Sequence, residues 1–404
     1  MVRNENEPKK EQAVLPPAGT EESVSATDYW QATAGRFRLA SRIFLALTLL
    51  FAIAFLSVRY DAFTYEGFFG FNRDLGAMTA LADENDRNIY YTYLSGETVQ
   101  DAYRGGVVSA GVSGAEIYAA NGSLLLRVDF QMKTPRLSVS DSYILFYDYG
   151  GTDFWICDAY TELYRGQCEY PILSGFMSDA GYFSLITASK ETLSRVLVYD
   201  SNFMPVMSFG RASVTVSAVL SPNGKYVALL GVGSAGTVLD IFRVGGKEKE
   251  TSLLLYGYPL AAGFTGNTTL AVLTESDAYS ITLNGKIRHN ESLQGRPMAC
   301  WISPDGLLVA LEKDRFSGEG EILFLNKRGK VKLKHEFSGT VRALRLSEDT
   351  LFVLGNEQIT AIRKKDGAVR LVFDCGSEAQ GLAPATGGVR VFYPAQALRI
   401  LTDD

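Results

Sequence analysis

Histidine is nearly absent from this 404-residue chain: His289 and His335 are the only two, and neither stands in an H-E-x-x-H or paired-ligand spacing. A histidine-built metal centre is therefore not expected, and both read as ordinary surface or hairpin residues. The four cysteines, Cys157, Cys168, Cys300 and Cys375, are scattered without a C-x-x-C pair, which leaves out zinc ribbons and thioredoxin-like motifs. No G-x-S-x-G elbow occurs. The glycine-rich GVGSAG, Gly231 to Gly236, runs from one apolar strand pattern into another, so it lacks the helix N-terminus that makes a phosphate cradle. Neither sign of charge dominates: 39 Lys and Arg against 45 Asp and Glu leave a net charge of −6, and no basic groove with interleaved aromatics appears. Nucleic acid is not an expected partner. A helical repeat is excluded as well, because the 3.6-residue apolar period such repeats need is missing.

What is abundant points to strands. The chain holds 39 glycines, 21 tyrosines and 23 phenylalanines. Aromatics suit a pleated, half-buried surface and glycine supplies the positive φ of tight turns, so an all-β architecture is predicted. The first 38 residues are rich in Glu, Pro, Ser and Thr without apolar periodicity and read as a disordered tail. Ile43 to Val58 is a charge-free apolar run between Arg42 and Arg59. It is read as one transmembrane helix over residues 39–59, in preference to a buried core helix or a cleaved signal peptide. Arg36, Arg38 and Arg42 precede the run while Arg59 follows it alone, so the positive-inside bias puts the N-terminus in the cytoplasm and the rest outside the cell. Residues 60–85 then form a juxtamembrane stalk and residues 86–404 the folded domain.

That domain is repetitive. SPNGKYVALL, residues 221–230, returns 82 positions later as SPDGLLVALE. Equivalent points fall at Ser140, Ser178, Thr265 and Ser347, at intervals of 38, 43, 44, 38 and 44 residues. A second set of turn signals keeps the same phase about twenty residues away, at Asn121-Gly122, Ala159-Tyr160, Asp200-Ser201, Gly245-Gly246, Asn284-Gly285, Arg328-Gly329 and Asp366-Gly367. Four strands in about 40 residues is the size of a β-propeller blade. The predicted fold is a WD40- or quinoprotein-like propeller of four-stranded antiparallel blades, with starts near residues 106, 140, 178, 221, 265, 303 and 347. Gly387 to Leu401 supplies two strands, which Asn88 to Arg104 completes into a closing blade. Eight blades are favoured and seven are the alternative.

Side chains with chemistry are few, and each has a structural reading that outweighs the functional one. Asp148, Asp153 and Asp158 lie at hairpins of one blade, where Asp serves turns. Asp83 to Asn88 has calcium-like oxygen density without EF-hand spacing and reads as a solvated loop. Trp155 and Trp301 sit in apolar runs and are assigned to packing over sugar stacking. Cys157 and Cys168 share one hairpin, which invites a bridge, but a turn at Ala159 to Glu162 puts them out of register, so buried thiols are favoured. Lys327 to Lys334, with Arg363, Lys364 and Lys365 one blade later, is the foremost functional stretch; edge protection of an outer strand competes with binding of an anionic polymer or lipid headgroups. No catalytic, cofactor-binding or metal-ligating residue is assigned.

Three stretches carry a family resemblance: ILFYDYGGTDFWICD (Ile144 to Asp158), SDAGYFSLITASKETLSRVLVYDSNFMPVMSF (Ser178 to Phe209) and AVLSPNGKYVALLGV (Ala218 to Val232). They resemble a domain-of-unknown-function family of single-pass, membrane-anchored β-propeller proteins from clostridial bacteria. The resemblance implies the same layout and carries over no activity. The expectation is a non-enzymatic, monomeric, extracytoplasmic scaffold or sensor that binds a protein or an anionic envelope polymer. The alternative is a propeller enzyme, a glycan hydrolase or lyase or a quinone-dependent dehydrogenase, working in the central channel.

Overall fold

In the computed structural model the described residues are 40–51, 89–94, 96–246 and 248–401. The chain divides between Tyr65 and Glu66 into two units. In the first, residues 40–51 form a helix in which the Thr48 hydroxyl donates to the Phe44 carbonyl. Residue 39 and residues 52–59 of the expected span lie outside the described residues, as do the tail, the stalk and Asp83 to Asn88. Among the described residues no helix is long and apolar enough to cross a membrane.

The second unit is a propeller of eight four-stranded antiparallel sheets. Blades 1 to 7 span residues 99–129, 135–167, 172–211, 215–255, 259–292, 296–338 and 343–374, each with its strands in chain order from the axis outward. The innermost strands pack side by side around the axis, from Val99–Tyr103 of blade 1 to Gly381–Ala385 of blade 8 and back. Blade 8 takes three strands from the C-terminal end of the chain and its outermost strand, Ile89–Tyr91, from the other end of the domain.

Two boundaries differ from expectation. The positions read as blade starts are the turns between first and second strands, so each sequence repeat ends on the innermost strand of the next sheet. Closure is three strands plus one: Val99–Tyr103 belongs to blade 1, and Gly381–Ala385 is the strand that went unread. Its GLAPA sequence has weak β character and a proline. Pro384 is tolerated because an innermost strand turns one backbone edge to the channel, where no ladder bond is lost. Pro135, Pro259 and Pro297 also sit on innermost strands and Pro205 on an outermost one, so every strand proline is on an edge.

Turn chemistry accounts for both marker series. At SPNG the Ser221 hydroxyl accepts from the Tyr226 N–H at 3.0 Å and Gly224 takes φ +68°. At SPDG the strands run closer, with Ser303 already opposite Gly306. The second series carries Asx turns: Asp158 accepts from Tyr160 and Thr161, Asp200 from Asn202 and Met204, and Asn326 from Arg328 and Lys330.

The apolar core is divided into eight clusters, each formed by two adjacent blades. Period-two alternation sends successive side chains to opposite neighbours. Val227 and Leu229 pack toward blade 3, while Ala228 and Leu230 pack toward blade 5, and all four are fully buried. Both faces of a middle strand are thus dry, which is why VALL is unbroken.

The last cluster joins blades 8 and 1 and holds the two ends of the domain together. Arg390, buried in the second strand of blade 8, donates to the Gly106 carbonyl at 2.7 Å and the Gly105 carbonyl at 2.9 Å, and lies 4.8 Å over the Tyr90 ring. The Tyr90 hydroxyl donates to the Ala120 carbonyl at 2.6 Å. Arg390→Met strips two buried carbonyls of a charged donor and is expected to cost about 3 kcal/mol in urea unfolding, whereas exposed Lys332→Ala stays within about 0.5 kcal/mol.

Candidate functional site

Because the strands are committed to ladders and interfaces, chemistry is left to three places: the channel, the two ends of the ring and the outer wall. One end carries the short turns between first and second and between third and fourth strands. The other carries the remaining hairpins and the connections between blades, and is called the loop end here.

In the channel, innermost strands of three blades bring Asp101, Cys300 and Arg345 into one electrostatic group. Arg345 donates to the Leu344 carbonyl at 2.8 Å and its guanidinium lies 5.8 Å from the Trp301 ring centre. Burial pushes the Asp101 carboxyl above the usual carboxylate range, opposed by the charge of Arg345 and the Ala102 N–H. Burial also raises the Cys300 thiol and lowers the Arg345 guanidinium.

The ends of the ring differ sharply. At the loop end, exposed apolar side chains form a crescent over blades 2 to 5, including Tyr149, Leu193, Val214, Tyr256, Tyr258 and Leu260. Tyr256 is 75% exposed and Tyr258 57%. Backbone bonds hold the loops of this rim to their own blades and, between Gly150 and Ile172, join blade 2 to blade 3. Gly150 N–H donates to Ile172, Leu193 to Arg211, Val232 to Val214 and Glu275 to Tyr258, each at 2.8 to 3.0 Å. The opposite end has polar inner turns in which the Asp179 carboxylate accepts from the Asp141 N–H and the Asn267 side chain from the Asn223 N–H, both at 3.2 Å.

The residues singled out by sequence are not brought together. His289 and His335 lie on the outermost strands of blades 5 and 6, His289 with Glu291 at 3.4 Å. Three interstrand spacings, about 14 Å, separate them from the innermost strands. Asp148 accepts from the Thr134 N–H at 2.7 Å and Asp158 caps its turn, so both serve the backbone. Cys157 stands opposite Glu162 and Cys168 follows Gln167, which stands opposite Asp153. Five strand steps, about 17 Å, separate the two residues, too far for a bridge. Burial pushes Cys168 up to about 12. Trp155 is buried against Phe130, with ring centres 5.1 Å apart, whereas Trp301 is only half-buried, on the innermost strand of blade 6. Lys332 and Lys334 are exposed on the outer wall as expected, while Leu333 is buried beneath them.

Sequence reasoning missed the crescent and the channel group. Tyr256-Gly257-Tyr258 carried a signal, two aromatics at a link between blades where polar turn residues are the rule. Asp101 and Arg345 carried none, because 244 residues separate them and only ring closure makes them neighbours.

Residues 83–393 match the model of the family of unknown function DUF5711. No curated protein matches the chain. Solved propellers are similar in fold. Chaetomium thermophilum Sqt1, solved bound to the N-terminus of the ribosomal protein L10, is 12% identical with a TM-score of 0.57 over 79% of this chain and 100% of its own. BamB from Moraxella catarrhalis is 11% identical with a TM-score of 0.53, over 77% and 95%. The dihydro-heme d1 dehydrogenase NirN, in complex with DHE, is 14% identical with a TM-score of 0.52, over 70% and 67%. At these identities the likeness is one of fold, and the fold hosts both binders and an enzyme.

The raised Asp101 carboxyl has a pH signature. The folded state binds its proton more tightly than the unfolded chain, so its contribution to stability falls as pH rises from the ordinary carboxylate range through the folded value, then levels off. Relative to Asp101→Asn, the native chain is expected to lose unfolding free energy between pH 4 and pH 7. Parallel pH profiles for the two proteins would contradict this.

Proposed function

The chain belongs to the DUF5711 family, which brings no assigned activity, and we propose from its own geometry that it is a non-enzymatic, protein-binding scaffold acting through its loop end. The observation that carries this reading is the apolar crescent of blades 2 to 5, on loops whose backbone is held by hydrogen bonds to the sheets beneath them. Exposed aromatics clustered on a rigid frame are what a binding surface requires, and Tyr in particular offers large contact area at low entropic cost. The Sqt1 structure, with a peptide terminus as partner, offers a precedent for this use of the fold.

The same proposal includes the layout. Residues 39–59 anchor the chain, the N-terminus stays in the cytoplasm and the propeller works outside as a monomer, as in the clostridial proteins it resembles. The charge bias around residues 36–59 supports this orientation. An enzyme working in the channel is the second reading, favoured by the half-buried Asp101, Cys300 and Arg345 group. A stoichiometric cofactor carried by the purified full-length chain would decide for it.

A photo-crosslinking residue at position 256 is expected to give a discrete adduct in intact cells. One at Leu163, exposed on the outer wall, is expected to give none. Tyr258→Ser beside the probe should reduce the adduct at least fivefold with the unfolding midpoint unchanged. Identical adducts from both positions, or none from 256, would remove the loop end as the binding surface.

A further inference from the structure

We infer that the outer wall of blades 6 and 7 is a docking strip for a linear phosphate polymer. This site is separate from the loop end and does not rest on that reading. Six exposed cations define it: Lys327, Arg328, Lys330, Lys332, Lys334 and Lys365. Among the described residues none of the six forms an ion pair. Their neighbours, by contrast, are neutralised: Arg363 by Asp366 at 2.9 Å, Lys364 by Asp305 at 3.4 Å and Arg370 by Asp349 at 2.9 Å.

Tertiary structure gathers these charges. The outer turn of each blade packs over the outermost strand of the one before, so that Gly367 lies against Leu333, His335 and the Lys334 carbonyl. This sets the Arg363–Lys365 turn beside the Val331–Ser338 strand, although about thirty residues of chain intervene. The Asn326 side chain accepts from the Arg328 and Lys330 N–H groups, and Ser280 donates to the Lys327 carbonyl at 3.2 Å. The tip bearing Lys327 and Arg328 is thus held, and little ordering is left to binding.

Lysines on one strand face, ending here at exposed Glu336, would blunt an outer edge. Edge protection does not require that the Lys327–Arg328 tip and Lys365 of the next blade be gathered with them. Most other outermost strands have their cations paired, as with Glu162 and Arg165 at 3.1 Å or Arg127 and Asp129 at 3.6 Å, and Arg288 of blade 5 stands as a single cation in no ion pair among the described residues. The row also runs against the chain as a whole, whose net charge is −6. Its shape selects the partner. Lys332 and Lys334 stand two residues apart on one strand face, a repeat of about 6.8 Å. That is a line of point charges suited to a linear polyanion, and phosphate suits ammonium groups. A membrane would ask for a plane of charge. A nucleic acid would ask for exposed rings to stack on, and the aromatics of the two outermost strands here, Phe337 and Phe373, are not exposed.

The full-length chain in uncharged detergent, titrated with inorganic polyphosphate at low salt, tests this. Lys330→Gln/Lys332→Gln/Lys334→Gln is expected to weaken binding at least tenfold. It should also flatten the log–log salt dependence by about 2, as three lost phosphate contacts at about 0.7 each require. Lys133→Gln/Lys190→Gln/Lys225→Gln, an equal charge change at exposed lysines elsewhere, should leave both unchanged. The unfolding midpoint reports that each variant folds. Three outcomes overturn the inference: no binding, equal weakening by both triples, or tighter binding of oligothymidylate or phosphatidylglycerol vesicles than of polyphosphate.

Discussion

No blade of this propeller owns a core; each of the eight apolar clusters exists only where two sheets meet. Every middle strand must therefore be apolar on both faces, and every blade needs a neighbour on each side. An open array would leave one face of each terminal blade wet. The fold is stable only as a closed ring, and closure places Ile89–Tyr91 beside the C-terminal strands with Arg390 bridging blade 8 to the Gly105-Gly106 turn. A guanidinium meets the geometry of that junction because it can serve two carbonyls and an aromatic face at once.

Closure also decides where function can sit. The middle strands are saturated on both edges and both faces, so variation is tolerated in the channel, at the ends and on the outer wall. The chain uses these regions unequally. An exposed apolar crescent lies at the loop end of blades 2 to 5, with Phe316 of blade 6 exposed beyond it, and the lysine row lies on the outer wall of blades 6 and 7. The two surfaces lie on different blades and differ in chemistry, one apolar and one cationic.

Some of this was legible from local chemistry. The recurrence of SPNGKYVALL as SPDGLLVALE reported a turn leading into a buried strand, and both halves of that reading hold in the structure. The Asx and Gly turns kept their phase for the same reason, since a two-residue reversal needs those side chains wherever it occurs. The repeat frame slipped by one strand because the strongest turn lies inside a sheet, whereas the break between sheets carries no turn signal of its own. GLAPA went unread because an edge facing a channel tolerates proline that a ladder would reject. Of the surfaces, the lysine row was visible because strand alternation alone predicts it, while the rings at the loop end were hidden in runs that resemble strand.

By itself the amino-acid order determined the strands, their turns, the near 40-residue repeat and hence a ring, because period-two patterning and turn chemistry act over a few residues. Which strand closes the ring, which rings stay wet and which charges share a surface were decided only in three dimensions. Asp101 and Arg345 make the point most plainly: they meet because eight sheets of nearly equal width bring blades 1 and 7 back around one axis. Electrostatic interaction depends on distance through space, and separation along the chain says nothing of it.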